Sequence, residues 1–402
     1  MKNIDILVAG AGIGGLTTAL CLAAKGFRVT VVEQSDRITE IGAGIQISPN
    51  GNRVLHDLGL KRELEAVAFL PLQSERRDWK TGEVLAGGPL GETVIERYGF
   101  PYYHIHRADL IRVLGEAVAR SPLIELQTGV RAEGFTQDAD GVRLALQGNR
   151  MLEAGTLIGA DGIRSVVRDG LFEAEAPTFT GNIAWRSLIP AERLPPGMVR
   201  PAATAWWGPG RHFVHYYVRG GQFVNCVAVV EKDGWEIESW TERGDLAELR
   251  ADFAGWHDDI GTLIATMDPD ACFKWALFDR PPMPRWGKGR VTLLGDACHP
   301  TLPFMAQGAV MAIEDAAVVA GCLSGIAEPA RAFAHYEALR RERTAAIQSG
   351  SRRNARLFHM HGAAAEDRNR EAAAQHRQTL EWLYTYDALT AHQAPTTEGS
   401  RQ

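Results

Sequence analysis

The chain opens on an abrupt alternation of apolar runs and glycine. Ile4-Asp5-Ile6-Leu7-Val8-Ala9 is a short apolar stretch ended by Gly10, the pattern of a buried strand, and residues 17–25 repeat apolar positions at helical spacing until Gly26. Arg28-Val29-Thr30-Val31-Val32 predicts a second strand, ending at Glu33. The glycine-rich segment 41–50 reads as a loop and short strand, and residues 52–58 as the start of a helix. Residues 69–100 predict an antiparallel ribbon, with turns at Lys80-Thr81-Gly82 and Gly87-Gly88-Pro89. A helix begins at His106-Arg107-Ala108-Asp109-Leu110, followed by strands over 124–126, 130–132, 142–146 and 156–160. From 184 to 231 the pattern changes to strand-like runs (184–189, 203–207, 211–218, 223–230) joined by glycine turns, an antiparallel meander. A helix pair over 244–268, a buried strand over 290–294, a helix over 309–324 and a long helical tail from about 330 to 390 complete the chain, and the last ten residues read as disordered.

The first turn carries chemistry. Gly10, Gly12 and Gly15 stand in G-x-G-x-x-G order between strand and helix, with Gly14 inside the motif. Such glycines make the tight turn, let the backbone approach a pyrophosphate and let the helix lie close on the strand. The helix N-terminus then offers free N–H groups and its positive end to phosphate. Glu33 follows about 20 residues on, where a carboxylate accepts ribose hydroxyls. Together they predict an adenine-dinucleotide site.

Composition narrows the class of partner. The 402 residues carry a formal charge of -6, with 45% hydrophobic and 23% charged residues, so no basic field for nucleic acid exists. Arg340-Arg341-Glu342-Arg343 and Arg352-Arg353 read as the solvated face of a helix. Five scattered cysteines without C-x-x-C spacing argue against a disulfide framework or a zinc site and suit a reducing cytosol. The N-terminal apolar run contains Asp5 and is too short for a signal peptide, and Glu314 and Asp315 interrupt the apolar stretch 309–323. These features predict a cytoplasmic protein that engages neither nucleic acid nor membrane, as a monomer or homodimer.

Three acidic glycine turns follow buried strands. Gly10-x-Gly12-x-x-Gly15 with Glu33, Gly159-Ala160-Asp161-Gly162-Ile163-Arg164-Ser165-Val166-Val167-Arg168, and Leu294-Gly295-Asp296-Ala297-Cys298-His299-Pro300 resemble, in order and spacing, the three fingerprints of single-component FAD-dependent aromatic hydroxylases. The resemblance implies an α/β composite. Its parts would be a Rossmann-like FAD-binding domain of discontinuous segments (1–72, 101–178 and 275–330), an inserted antiparallel substrate sheet (73–100 and 179–274), a helical C-terminal segment (331–392) and a disordered end (393–402). It also implies roles. Glu33 would hold the adenosine ribose, Arg107 would approach the FAD phosphates and ribityl chain, and Asp296 would bind a ribityl hydroxyl. Asp161 lies in the motif such enzymes use for both FAD and pyridine nucleotide, and it also reads as an N-cap for residues 163–168. Gln307, Gly308 and Ala309 open a helix whose N-terminus would stabilise charge on reduced flavin, with Gln46 and Val130 completing the cofactor set. NADH or NADPH would reduce the FAD, and O2 would add to give a C4a-hydroperoxyflavin that hydroxylates a small aromatic hydroxy acid.

For the substrate side, alternation on the strand 211–218 puts His212, Val214 and Tyr216 on one face, and Phe213, His215 and Tyr217 on the other. His212 and Tyr216 resemble the histidine–tyrosine pair that hydroxybenzoate and hydroxynicotinate hydroxylases hold over the flavin. A phenol must approach phenolate before attacking electrophilic oxygen, and imidazole is a suitable proton acceptor. A register slip of one would substitute His215. Pro303 and Phe304, in a proline-stiffened loop, and Gln46 complete the expected pocket. Gln46, Arg211 and backbone N–H groups all remain open as carboxylate ligands, and His299 reads as structural. No G-x-S-x-G elbow supports a hydrolase, and no metal-ligand spacing is present, so the metal set is empty. Salicylate or 3-hydroxybenzoate is the expected substrate type. A hydroxypyridine carboxylate such as 6-hydroxynicotinate is the alternative, as is an oxygen-independent flavin reductase on the same scaffold. Trp382-Leu383-Tyr384-Thr385-Tyr386-Asp387 resembles the closing segment of the salicylate and 3-hydroxybenzoate branch.

Overall fold

The computed structural model describes residues 5–37, 43–232, 234, 242–360, 362, 365 and 377–393. Ile41, Gly42, all of 366–376 and the end after 393 lie outside the described residues, and with them the expected disorder of the terminus.

The apolar runs of the first pattern assemble into one sheet. Asp5–Ala9 lies centrally between Thr156–Gly159 and Arg28–Val32, with Val291–Leu293 and Ile124–Gln127 beyond them, all parallel, and Gly287–Lys288 added antiparallel at one edge. Runs that read as continuously apolar are buried on both faces, as parallel strands require. The helices Ile13–Ala24 and Gly308–Gly325 cover this sheet, and Gly14 marks their contact, since a Cβ there would lie 2.7 Å from Leu294 Cδ2 and 3.1 Å from Ala312 Cβ. Gly308–Gly325 is long and apolar enough to cross a membrane, yet 78% of that stretch is buried within the protein.

A second, seven-stranded sheet runs in the order Phe273–Asp279, Thr178–Pro190, Phe223–Glu231, Arg211–Val218, Ala202–Gly208, Gln73–Asp78, Val84–Pro89. Two details depart from expectation. Ala202–Gly208 and Gln73–Asp78 pair in parallel, because the distant ribbon docks on the edge of the meander. Phe273–Asp279 pairs with the strand starting at Thr178, so the boundary drawn at 275 falls inside a strand of this sheet. One face of the sheet buries Trp185, Trp206, Phe213 and Cys226 against the helices Leu246–Asp252 and Asp258–Thr266. The other face meets the nucleotide layer.

Local differences have local causes. The ribbon expected over 69–100 stops at Pro89, and Glu92–Tyr98 is a helix that buries Val94. Gly87-Gly88-Pro89 is strand rather than turn: a Cβ on Gly87 would strike Ser74 O at 2.2 Å, so glycine serves close strand approach. The helix expected from 52 begins at Pro49, placed at the first position after Ser48, and that expected from 17 begins at Ile13. Gly129, at φ 67°, delays the strand expected at 130–132 until Ala132, and Arg150–Ala154 adds a strand the alternation hid.

Arg340 and Arg343, expected on a solvated face, are buried. Both lie on Pro329–Phe358 and meet Glu314 and Asp315 from the apolar helix. Arg340 Nε is 2.6 Å from Asp315 Oδ1, Arg343 Nη2 is 2.8 Å from Glu314 Oε1, and His299 Nε2 is 2.6 Å from Asp315 Oδ2. His299 is thereby structural, as expected. Two acids inside an apolar helix demanded buried cations, and the alternating charges of 340–343 supplied them. All five cysteines are free and buried.

Candidate active site

The first turn forms a cradle. Gly10 adopts φ 102°, and a Cβ on Gly15 would lie 1.9 Å from Gly10 O, so helix and strand are in backbone contact. A Cβ on Gly12 would meet nothing within 4 Å. The helix behind it has no acidic residue in its first turn and no side chain capping its N–H groups. Space, free donors and a helix dipole coincide where a diphosphate would sit. Glu33 holds this turn in place: Oε2 accepts from Ala11 N–H and Oε1 from Ser35 N–H, both at 2.9 Å, while Val130 N–H donates to Glu33 O at 2.8 Å.

The other two acidic turns close the cleft. Asp161 accepts from Ser165 Oγ at 2.5 Å and Val167 N–H at 3.1 Å. The helix starts later than expected, at Val166–Leu171 with Ser165 as its N-cap residue, and Asp161 caps it from further back by accepting from the first-turn Val167 N–H. Arg168 Nη1 donates to Ile163 O at 2.9 Å and Ala297 O at 3.2 Å, tying the second turn to the third. Asp296 faces open space although protein surrounds it, and this burial raises its carboxyl while the charges of His299 and Arg107 pull it down. Arg107 begins the helix Arg107–Arg120, its N–H held by Ala43 O at 3.0 Å. A recessed acid facing a cleft, opposite an arginine, suits a polyhydroxylated chain.

Past Asp296, Pro303–Met305 forms a single turn, Ala306 takes the left-handed φ of 52°, and the chain enters the helix Gly308–Gly325 with Gln307 as N-cap. Gln307 is not free to reach a ligand with its side chain, because Oε1 accepts from Asn50 at 3.2 Å and Nε2 donates to Ser48 at 3.0 Å. The first N–H groups of the helix, at Gly308 and Ala309, carry no side-chain cap. Pro303 is exposed and Phe304 buried.

Phe304 meets the seven-stranded sheet, and the register defines what lies there. His212, Val229, Ala184 and Trp275 form one buried row. The next row, Arg186, Val227, Val214 and Ala205, is only half-buried throughout, and Tyr216 with Asn225 begins the row after it. An open strip of apolar sheet therefore separates His212 from Tyr216. It faces the loop carrying Phe304. His212 lies 5.1 Å from the Phe304 ring, edge on. Tyr216 packs 4.4 Å from the His104 ring, and Gly44 N–H donates to Asn225 Oδ1 at 2.7 Å. Gln46 accepts from Tyr102 Oη at 2.7 Å, so its amide is already oriented.

His215, the alternative to His212, is on the opposite face and accepts from Trp206 Nε1 at 3.0 Å in the other core. Arg186 was missed from sequence. It stands at the end of the open strip, its guanidinium 4.4 Å above the Trp275 ring. Burial and the neighbouring charge of Arg107 bring its pKa down to about 10, opposed by Tyr216. A lone cation in the alternating run Ile183-Ala184-Trp185-Arg186-Ser187 was the available signal. Arg211, by contrast, pairs with Gly208 and Val230 near the hairpin end, away from the strip.

The FAD binding domain family matches residues 3–351. The chain is 40% identical to 3-amino-4-hydroxybenzoate 2-monooxygenase of Streptomyces cremeus, over 95% of each chain. It is 38% identical to 6-hydroxynicotinate 3-monooxygenase of Bordetella bronchiseptica (87% of this chain, 91% of that one). Identity to 3-hydroxybenzoate 6-hydroxylase of Polaromonas naphthalenivorans is 36%, over 96% of each. Among solved structures, Klebsiella pneumoniae HpxO complexed with FAD and uric acid superposes with TM-score 0.85 (27% identical, 97% of this chain and 98% of that one). A salicylate hydroxylase substrate complex superposes with TM-score 0.83 (25% identical, 98% of each).

Proposed function

This chain belongs to the FAD binding domain family and is an FAD-dependent aromatic hydroxylase, and from that premise we propose that it hydroxylates a six-membered aromatic ring carrying both a hydroxyl and a carboxylate. The observation that carries the reading is the open strip between His212 and Tyr216 with Arg186 at its end. Amino-hydroxybenzoate, hydroxynicotinate and hydroxybenzoate, the acids in the relatives' names, share this outline of flat ring, acidic hydroxyl and anion. The 3-amino-4-hydroxybenzoate type joins the salicylate and 3-hydroxybenzoate types as a leading candidate.

The glycine turn at 10–15, Glu33, Arg107 and Asp296 would hold FAD, which when bound supplies the electrons from NAD(P)H and the activation of O2. The chain's own residues do the rest. Val214 and Val227 give the ring an apolar floor, and Phe304 closes above it. Arg186 receives the carboxylate, and its stacked guanidinium favours a planar anion. His212 takes the phenolic proton: burial and then His359 hold its pKa well below the ordinary histidine range, so it is neutral and able to accept. Tyr216, whose hydroxyl burial pushes well up, stays protonated and donates to substrate oxygen. The uncapped N-terminus of Gly308–Gly325 stabilises negative charge beside it. Five free cysteines suit the cytoplasm.

The test is a panel of 3-amino-4-hydroxybenzoate, 6-hydroxynicotinate, 3-hydroxybenzoate and salicylate. NADH and NADPH oxidation would be coupled to product mass, with H2O2 tracked to expose unproductive turnover. At least one acid should give a product with one added ring oxygen, with its carboxylate either kept or released as CO2. Nicotinamide oxidation that no hydroxylated aromatic acid stimulates sinks the reading.

A further inference from the structure

His212 does not end the polar path it begins. Its Nδ1 lies 2.8 Å from His359 Nε2, and His359 Nδ1 lies 2.6 Å from Glu231 Oε1. His212 and His359 are 2% and 5% exposed, whereas the Glu231 side chain is 54% exposed. It borders an open surface groove of about 720 Å³. Three separate elements meet here. His212 is on the strand Arg211–Val218, Glu231 ends the adjacent strand, and His359 ends the helix Pro329–Phe358. Backbone bonds fix the meeting: Gly210 N–H donates to His359 O at 3.3 Å, and Glu231 N–H donates to Gly210 O at 2.9 Å.

We propose that His359 and Glu231 complete a proton relay that carries the phenolic proton from His212 to solvent, an assignment that rests on His212 being the proton acceptor for a phenolic substrate. The carboxylate sets the direction. Glu231 accepts from His359 Nδ1–H, which leaves His359 Nε2 as an acceptor for His212 Nδ1–H. His212 Nε2 is then a lone pair available to substrate. On transfer the phenol O–H bond breaks and His212 gains a proton at Nε2. His212 gives up Nδ1–H to His359 Nε2, His359 gives up Nδ1–H to Glu231, and Glu231 releases it to water. Each imidazole gains one proton and loses one. Glu231 is neutral only while it holds the proton; once it has passed it to water Glu231 is again a carboxylate, the phenolate carries the new negative charge and the solvent the proton. The reverse passage returns a proton before the product leaves.

The physical need follows from the surroundings. His212 is flanked by Phe304 and Phe358, 5.1 and 5.3 Å away, and by His359. His359 faces Glu231 and feels the charge of Arg211. Burial lowers both imidazoles from their ordinary value, and for His359 Glu231 opposes that shift. A stored imidazolium is therefore disfavoured at His212, and passing the proton onward avoids forming one. Once substrate covers the strip, water is kept from the phenol and the competing bulk acceptor is removed. His359 and Glu231 act through His212 and are positioning residues.

Two measurements test this on the FAD-loaded full chain. Nitrogen-15 NMR of the histidines, assigned with His212→Gln and His359→Gln, should show both imidazoles neutral at pH 7 with the proton on Nδ1. A proton on Nε2 of His212 overturns the relay without any substrate being involved. Stopped-flow mixing with 4-hydroxy-3-nitrobenzoate, whose yellow phenolate reports proton loss, forms the second arm. In the unaltered chain, phenolate formation and proton release to a dye in weak buffer should coincide. Glu231→Gln and His359→Gln should each slow both at least tenfold, with the affinity for the nitrophenol kept, and imidazole should restore the rate in His359→Gly. Equal rates in the Gln variants overturn the relay. An unaltered chain that does not bind the phenol overturns the substrate reading instead, leaving the NMR result to decide the relay.

Discussion

His212 and Arg186 reach the same strip of sheet by opposite routes, one announced by its neighbours and one hidden among them. On the strand Arg211–Val218 the polar aromatics alternate, so a period of two fixes which share a face. The only ambiguity was a slip of one, which Trp206 resolves by engaging His215 on the far side. Arg186 sits in a run so apolar that alternation gives it no companion, and only pairing with Val227 across strands distant in sequence brings it beside Val214. Each residue carries a separate prediction. His212→Ala should slow hydroxylation roughly 10²–10⁴-fold, the range of a lost general base, with FAD affinity by fluorescence titration unchanged. Unchanged product formation would remove His212 from the chemistry. Arg186→Met should raise KM for the carboxylate substrate about tenfold or more, the scale of a lost charge-assisted bond of ~1.5–3 kcal/mol, and leave KM for the matching carboxamide little altered. An equal rise for acid and amide would show that Arg186 shapes the pocket without reading charge.

At the level of elements, the three glycines of the first turn divide their work. Gly15→Ala places a methyl 1.9 Å from Gly10 O, so the strand–helix contact must open and the protein should lose stability. Gly12→Ala meets only open space, at an ordinary backbone angle. The variant should unfold at the same urea concentration as the parent chain yet, if the diphosphate sits at this turn, bind FAD at least tenfold more weakly, because the methyl would stand in its approach. Matched flavin affinity in this variant would remove the diphosphate from that turn. This cradle was readable because its signal is local: strand, turn and helix lie within twenty-odd residues. The Glu92–Tyr98 helix and the parallel pairing of Gln73–Asp78 were not, since each depends on what a distant element presents. The burial of Arg340 and Arg343 was missed for a related reason. A charged helical stretch reads as solvated until its partner helix is found to carry two acids inward.

Across the whole molecule, that ion network joins the helix start at Asn50 and the C-terminal segment at Leu383 to the turn at Gly295-Asp296. Asp315 Oδ2 accepts from Gly295 N–H at 3.2 Å, Asn50 donates to Glu314 at 2.7 Å, and Arg343 donates to Leu383 O at 3.0 Å. Asp315→Asn leaves Arg340 short of a counter-charge and His299 without its carboxylate partner, and should cost ~3–5 kcal/mol in urea unfolding, with the flavin released at lower urea. Burial alone would raise both acids. For Asp315 the charges of His299 and Arg340, and for Glu314 those of Arg340 and Arg343, outweigh it and hold the carboxyls low. The stabilisation is therefore complete above the ordinary carboxylate range near ~4 and is lost as pH falls through the depressed values. Thermal unfolding followed from pH 7 to pH 3 should show a plateau and then a steep decline in the parent chain, and a flatter decline in Asp315→Asn.

The seclusion of every thiol has a bearing on durability. A hydroxylase that wastes a turnover leaks H2O2 into its own interior, and cysteine is the side chain such a leak would ordinarily scar first. Here Cys298 follows directly on the Asp296 turn, yet burial and the nearby charge of Asp315 hold its thiol well above the usual range, and the other four are likewise kept from ionising. After prolonged idling without catalase, mass spectrometry should find the first added oxygen on the 52%-exposed Met151 and none on sulfur near the flavin. The catalyst would then outlast its own misfires, ageing from the rim inward.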